Sequence, residues 1–309
     1  MSLLLLPHLS STSSFISDGG LETWLIYSRN CHLPQFAAFP LLGTPEGAAH
    51  LKEYYKEYLQ VAQVLRRGLV LSTPTWRAST RWGIELGFSQ EEVDQFNIEA
   101  VKLVKGVKET SEDGTIVVVD GQIGPMEDGY KPEVQHSVQE SKEYHRRQVT
   151  VLKDAGVDLI TAMTITNWEE ATGITLAAME CKIPLAVGFT VELDGRLPSG
   201  DTLADAVEKV DKMTGGYPSY FMVNCAHPDH IRKALEDGGK WKERVMGFRV
   251  NASRKSHEEL DRMESLDEGD PEELGHLTGE LGRLVPRVVV MGGCCGTRAE
   301  HVKCIGRVL

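Results

Sequence analysis

Residues 287–297 read Arg287-Val288-Val289-Val290-Met291-Gly292-Gly293-Cys294-Cys295-Gly296-Thr297. The apolar part of this run has no polar alternation, so it fits a strand buried on both faces of a parallel sheet rather than a half-exposed antiparallel one. The same pattern recurs upstream, as in Ile116-Val117-Val118-Val119-Asp120. Eight such runs follow one another: Phe15–Asp18, Leu69–Ser72, Ile116–Asp120, Leu159–Met163, Leu185–Thr190, Tyr220–Cys225, Val245–Asn251 and Arg287–Gly293.

Between them lie segments of helical period. Glu46–Arg67 sets Leu51, Tyr54, Tyr55, Tyr58, Leu59, Ala62 and Leu65 at spacings of three and four, with Gly68 as the expected left-handed stop. The others are Glu91–Val107, Val134–Ala155, Trp168–Met179, Thr202–Met213, Pro228–Glu236, Pro271–Leu281 and Arg298–Val308. Asp201 and Asp270-Pro271-Glu272-Glu273 read as capped, acid-rich helix starts. Ala155-Gly156-Val157-Asp158 reads as a short turn from helix to strand. Eight strands alternating with eight helices predict a single (β/α)8 barrel over residues 1–309, one domain. A doubly wound open sheet is the alternative, but it usually carries a Gly-rich phosphate fingerprint, and neither G-x-G-x-x-G nor a Walker A motif occurs.

Composition is that of an ordinary globular protein: 309 residues, 41% hydrophobic and 25% charged. A net charge of −12 and a pI near 5.4 argue against nucleic acid, whose phosphates need a basic face. Leu3–Leu6 is too short for a signal-peptide core or a membrane segment, and no basic residue precedes it, so the expected setting is cytoplasmic, with no membrane partner. The sequon Asn251-Ala252-Ser253 then has no role. The acid-rich stretch Glu258–Glu273 reads as a solvated loop and helix start.

Six cysteines in such a chain are a poor disulfide framework. Cys31, Cys181 and Cys304 are scattered and read as structural. Cys225, Cys294 and Cys295 are different. In a barrel, the carboxyl ends of the strands form the active rim, and these three reach it from the sixth and eighth strands, which only one other separates. Glycines around Cys294-Cys295 let two adjacent side chains turn toward one centre. Three thiolates suit Zn2+ and leave its fourth position open, the pattern of a catalytic site. A vicinal disulfide or three buried thiols are the competing readings. There is no C-x-x-C knuckle and no deaminase H-x-E…P-C-x-x-C set. His227 and His301 fall on a turn and a helix and read as structural.

The motifs resemble those of the homocysteine S-methyltransferase family, over most of the chain. They are Asp18-Gly19-Gly20-Leu21-Glu22-Thr23, Ser72-Thr73-Pro74-Thr75-Trp76-Arg77-Ala78-Ser79, Phe189-Thr190-Val191-Glu192 with Asp194-Gly195-Arg196-Leu197-Pro198, Val223-Asn224-Cys225-Ala226-His227-Pro228 and Gly292-Gly293-Cys294-Cys295-Gly296-Thr297. The resemblance implies zinc held by Cys225, Cys294 and Cys295, and methyl transfer from an onium-type donor to the thiol of homocysteine, giving methionine. It further implies Asp18 at the homocysteine amino group, backbone near Gly19 and Thr73 at its carboxylate, and Asn224 among the substrate contacts. Where the family ends its fourth strand with a glutamate that also anchors the amino group, this chain has Met163. That removes a charge-assisted contact of roughly 1.5–3 kcal/mol. Arg77 stands where the betaine enzymes carry a tyrosine; it would repel a cationic donor or bind a carboxylate.

Two other functions remain open at this stage: zinc-dependent methyl transfer to a different thiol, and a non-catalytic, zinc- or redox-responsive binding protein. Fourteen residues follow Cys295, room for one closing helix but not for an oligomerisation arm. The expected partners are therefore a small-molecule thiol and a diffusible methyl donor, on a monomer or weak dimer.

Overall fold

A computed structural model describes residues 6–11, 14–129, 134–261, 263 and 265–309. Eight parallel strands, β1 (Phe15–Ser17), β2 (Gly68–Ser72), β3 (Val117–Ile123), β4 (Leu159–Ile165), β5 (Leu185–Phe189), β6 (Tyr220–Asn224), β7 (Val245–Val250) and β8 (Val290–Gly293), close in sequence order. Closure runs through Phe15 against Val290 and Ile16 against Met291. The expected (β/α)8 barrel is therefore the fold.

The helices are α1 (Pro7–Ser10), α2 (Leu21–Arg29), α3 (Pro45–Leu65), α4 (Thr80–Glu85), α5 (Gln90–Lys108), α6 (Val138–Ala155), α7 (Trp168–Cys181), α8 (Leu203–Thr214), α9 (Pro228–Ala234), α10 (His257–Asp261), α11 (Pro271–Gly282) and α12 (Ala299–Val308). Among the described residues, no helix is long and apolar enough to cross a membrane.

The strand runs are apolar throughout because each face meets a different core. Phe15, Val70, Val118, Leu159, Ala186, Tyr220 and Met222 belong to a cluster inside the barrel. Their chain neighbours Ile16, Leu69, Leu71, Val117, Val119, Ile160, Val187, Phe221 and Val223 pack outward against the helices. This is the period of two expected of strands, with both faces dry. At the amino-terminal end, α1 plugs the barrel. The buried ring of His8 lies 5.8 Å from Phe15 and 5.5 Å from Tyr220, with Leu6 in the same cluster. Burial pushes His8 down to about 4, so it is neutral. Leu3, Leu4 and Leu5 lie outside the described residues.

Several local expectations need correction. α3 is stopped by Arg66, which takes the left-handed conformation at φ 53° and donates its N–H to Ala62 and Gln63. Gly68 begins β2 instead, and a Cβ there would fall inside the ring of Phe15. Close packing, not a helix cap, requires that glycine. The cap of α8 is Thr202, whose side chain accepts from the N–H of Asp205; Asp201 pairs with Lys209. Asp270 does cap α11, accepting from the N–H of Glu273. α6 starts at Val138 behind a Ser137–Glu140 capping box, with residues 134–137 still loop. β8 starts at Val290, three residues after the start of the Arg287–Gly293 run. The 258–273 stretch is more than a solvated loop, since Leu260, Met263, Leu266 and Asp267 wall a cleft at the active rim.

Candidate active site

Cys225 leaves β6 and Cys294 and Cys295 leave β8, all at the carboxyl rim. β7 between them pairs Asn224 with Arg249 and Val250 with Gly293, which sets the heights of the two exits. The backbone then fixes each cysteine. Cys225 donates its N–H to Arg249 and receives the Asn251 amide on its carbonyl at 3.0 Å. Cys294 donates to the Val250 carbonyl, and Ala252 donates to that of Cys295. Cys225 holds φ at +58°, a left-handed conformation that disfavours a residue with a Cβ by roughly 1–2 kcal/mol and that collects at functional sites.

The result brings three sulfurs together. Cys225 Sγ lies 3.1 Å from Cys294 Sγ and 3.7 Å from Cys295 Sγ, and all three fall within 4.8 Å of one another. None of the three is disulfide-bonded. As thiols they crowd one another: the contact with Cys225, with burial, pushes Cys294 up to about 12, and Cys225 and Cys294 together push Cys295 well up too. A divalent cation reverses that balance, because it turns mutual repulsion of thiolates into shared attraction. The three donors are of the soft type, close and convergent, and fit a metal ion. His227 and His301 stay apart, as expected. His227 caps α9 by accepting from the N–H of Asp229, and His301 Nδ1 accepts from the N–H of Arg298. Cys31, Cys181 and Cys304 also lie elsewhere, outside the metal-competent group.

Beside the sulfurs is a narrow slot. Its wall includes Asp18, Gly19, Glu22, Gln122, Met163, Thr164, Asn224 and Arg249, together with the rings of Phe36 and Trp76. Of the substrate contacts expected from the sequence, Asp18, Gly19, Met163 and Asn224 line this slot. Gly19 passes so near Tyr58 that a Cβ would strike the phenol oxygen. Thr73 is not on the wall: its hydroxyl contacts Thr75 Oγ1 at 2.6 Å and accepts from the N–H of Gln122, tying β2 to β3. Asn224 braces the slot by accepting from the Thr164 N–H at 2.9 Å and donating to the Thr164 hydroxyl at 2.9 Å. That reciprocal pair holds a β-branched residue at φ +61°, a genuine outlier.

The sequence reading missed Arg249, Gln122 and Glu22. Arg249 is buried at the end of β7, where its Nη2 donates to Asp18 Oδ1 at 2.8 Å, its Nη1 to Ser72 Oγ at 2.8 Å and its Nε to the Gly293 carbonyl at 3.1 Å. Ser72 passes the chain on to Asp120 Oδ2 at 2.8 Å. Tyr54 donates to the other oxygen of Asp18 at 3.3 Å. Burial pushes the Asp18 carboxyl up, and the Arg249 guanidinium pulls it back. Burial likewise raises Asp120 to about 6. An arginine inside an otherwise apolar strand was the available signal, since a buried guanidinium requires a counter-ion nearby.

A wider cleft reaches one of the three sulfurs, that of Cys295, and also shares Phe36 and Trp76 with the slot. Tyr27, Asp128 and Asp267 line it as well. Arg77 is in its wall, but its guanidinium is sandwiched 4.1 Å from the Trp76 ring centre and 3.7 Å from that of Trp82. It also donates to Asp128 at 3.3 Å and to the Glu127 carbonyl at 3.3 Å. Its charge is thus matched by a carboxylate and spread over two indole faces.

The sequence matches the homocysteine S-methyltransferase family profile over residues 15–309. Homocysteine S-methyltransferase 1 of Arabidopsis thaliana is 25% identical over 319 residues, covering 95% of this chain and 93% of that one. Homocysteine S-methyltransferase of Escherichia coli is 27% identical over 239 residues, 71% of each chain. Among solved structures, the E. coli homocysteine methyltransferase MmuM superimposes in its oxidized form with a TM-score of 0.78 at 18% identity, over 97% of this chain and 98% of that one. Its metallated form gives a TM-score of 0.76 at 20% identity, over 98% and 99%.

Proposed function

This chain belongs to the homocysteine S-methyltransferase family, and we propose that it moves a methyl group from an onium-type donor to the thiol of homocysteine, giving methionine. The observation that carries this reading is the convergence of Cys225, Cys294 and Cys295 beside a narrow slot, with Cys295 also lining a wider cleft. The ion proposed for the three sulfurs is zinc, which favours thiolates and tetrahedral coordination. Zinc bound there supplies a Lewis acid that brings a thiol, ordinarily of pKa about 8.5, to thiolate at neutral pH.

The rest falls to the chain's own side chains. The slot takes the thiol's carbon skeleton; Asp18, the backbone at Gly19, Met163 and Asn224 are its proposed contacts. Thr73 acts from behind, by holding Gln122 in place. The cleft takes the donor: the rings of Trp76, Phe36 and Tyr27 favour a cation, and the nearby cations Arg77 and Lys255 are already paired, with Asp128 and Asp267. Phe36 and Trp76, common to both cavities, exclude water at the junction. There the sulfur forms its bond to the methyl carbon while the bond from that carbon to the onium atom breaks. The donor leaves with the electron pair, uncharged at that atom, and the thiol proton goes to solvent. Positioning of this kind is the main contribution a scaffold makes to an in-line displacement.

A reducing, cytoplasmic setting agrees with three adjacent cysteines that are not disulfide-bonded. One barrel domain working as a monomer or weak dimer on diffusible reactants completes the reading, within methionine biosynthesis. The test is product analysis. Zinc-loaded, reduced protein given homocysteine forms methionine from S-methylmethionine or another sulfonium. Absence of methionine with sulfonium and betaine donors alike would sink the reading. A second reading, methyl transfer to a thiol that lacks an amino group, is favoured by one observation: Arg249 already occupies Asp18.

A further inference from the structure

We propose that Glu22, in the first turn of α2, is the carboxylate that receives the ammonium group of the thiol substrate in the slot beside Cys225, Cys294 and Cys295. The inference rests on homocysteine as the acceptor and identifies which residue selects for its amino group.

The argument begins with charge. Homocysteine carries an ammonium, and an ammonium taken into a narrow, water-poor slot requires an anionic partner. Two acidic side chains line that slot, Asp18 and Glu22. Asp18 is already committed. One oxygen accepts from the buried guanidinium of Arg249 at 2.8 Å and the other from Tyr54 at 3.3 Å. Arg249 is charged under all conditions and would be left without its counter-ion if Asp18 turned to a ligand, a loss that is strongly destabilising. Glu22 forms no ion pair among the described residues. Met163, on the same wall, brings no charge.

Placement agrees with this assignment. Leu21 begins α2 directly after Asp18-Gly19-Gly20, so Glu22 sits at the carboxyl rim, and it lines the same slot as Cys225, Cys294 and Cys295. Burial pushes its carboxyl up to about 7, against the pull of its own backbone N–H, and the nearby Cys294 and Asp18 add to the rise. A half-buried carboxylate with no ion-pair partner among the described residues is an incomplete site, and an arriving ammonium supplies the missing charge. Glu22 is thus a specificity-determining residue: it takes no part in bond making and distinguishes an amino-bearing thiol from one without.

Two ligands that differ only by that group test the assignment: L-homocysteine and 4-sulfanylbutanoate, the same chain lacking the amine. Binding of each to the reduced, zinc-loaded protein is measured by calorimetry, for the unaltered chain and for Glu22→Gln. The unaltered protein should prefer homocysteine at least tenfold. E22Q should weaken homocysteine by about ten- to a hundredfold, as expected for a lost charge-assisted contact, and leave 4-sulfanylbutanoate within about twofold. The second ligand also reports that the variant is folded. A protein that binds neither thiol contradicts the homocysteine reading itself. No preference in the unaltered chain, or an E22Q variant that leaves homocysteine unweakened or loses both ligands alike, overturns the role of Glu22 alone.

Discussion

The two ends of this barrel are built on opposite terms. At the amino-terminal end, α1 seals the strands with His8, Phe15, Tyr220 and Leu6, a buried cluster in which even the histidine is held neutral. That cluster holds no charged side chain among the described residues. At the carboxyl end, a guanidinium and two carboxylates are buried together, Cys225 and Thr164 hold positive φ, and three thiols crowd within 4.8 Å. The first end contributes stability. The second gives some of it up for a site that is completed only by ligands.

The largest effect should come from the sulfurs. Cys294→Ser removes one soft donor, and the protein should lose stoichiometric zinc and all methionine formation. Its unfolding midpoint without metal should stay close to that of the metal-free parent. Metal analysis with thermal unfolding checks this, and a large drop in metal-free stability would make the cysteines structural instead.

Asn224→Ala comes next and should affect both properties, because it removes both bonds that hold Thr164 at φ +61°. An unpaired buried N–H costs about 1–3 kcal/mol in denaturant unfolding. The loosened slot wall should lower kcat/KM by between about tenfold and a hundredfold.

The smallest effect belongs to the sealed end. The folded pKa of His8 lies below its unfolded value of about 6.5, so the unfolded chain binds more protons between the two. Its contribution is therefore fully present above about pH 6.5 and lost as pH falls toward 4. Neither ring nitrogen has a partner among the described residues, so His8→Leu should cost little at pH 7. It should recover about 1–2 kcal/mol of stability near pH 4.5, with kcat unchanged. His227, also pushed down to about 4 by burial, titrates in the same window, so the variant's curve should flatten without becoming level.

The same contrast explains what the chain reveals before it is folded. All eight strands could be read because a parallel strand with two dry faces leaves few polar residues to confuse the pattern. The three sulfurs could be read because the strand-end rule converts position in the chain into position on a rim. Gly68 was misread since a glycine after a helix looks like a cap, whereas its real neighbour, Phe15, is fifty-three residues away in the chain. Arg66 gives no such sign, because an arginine rarely takes the conformation it adopts there. Glu22 lay inside a recognised motif and was passed over. Its significance appears only once Arg249, from the seventh strand, is seen to occupy Asp18.

The most direct test of the three-sulfur site is calorimetric titration of L-homocysteine into reduced protein prepared with and without zinc. The account predicts binding with proton release in the zinc-loaded protein and no comparable binding without the metal. A protein that takes up no zinc, or that binds homocysteine equally well without it, would contradict the central claim.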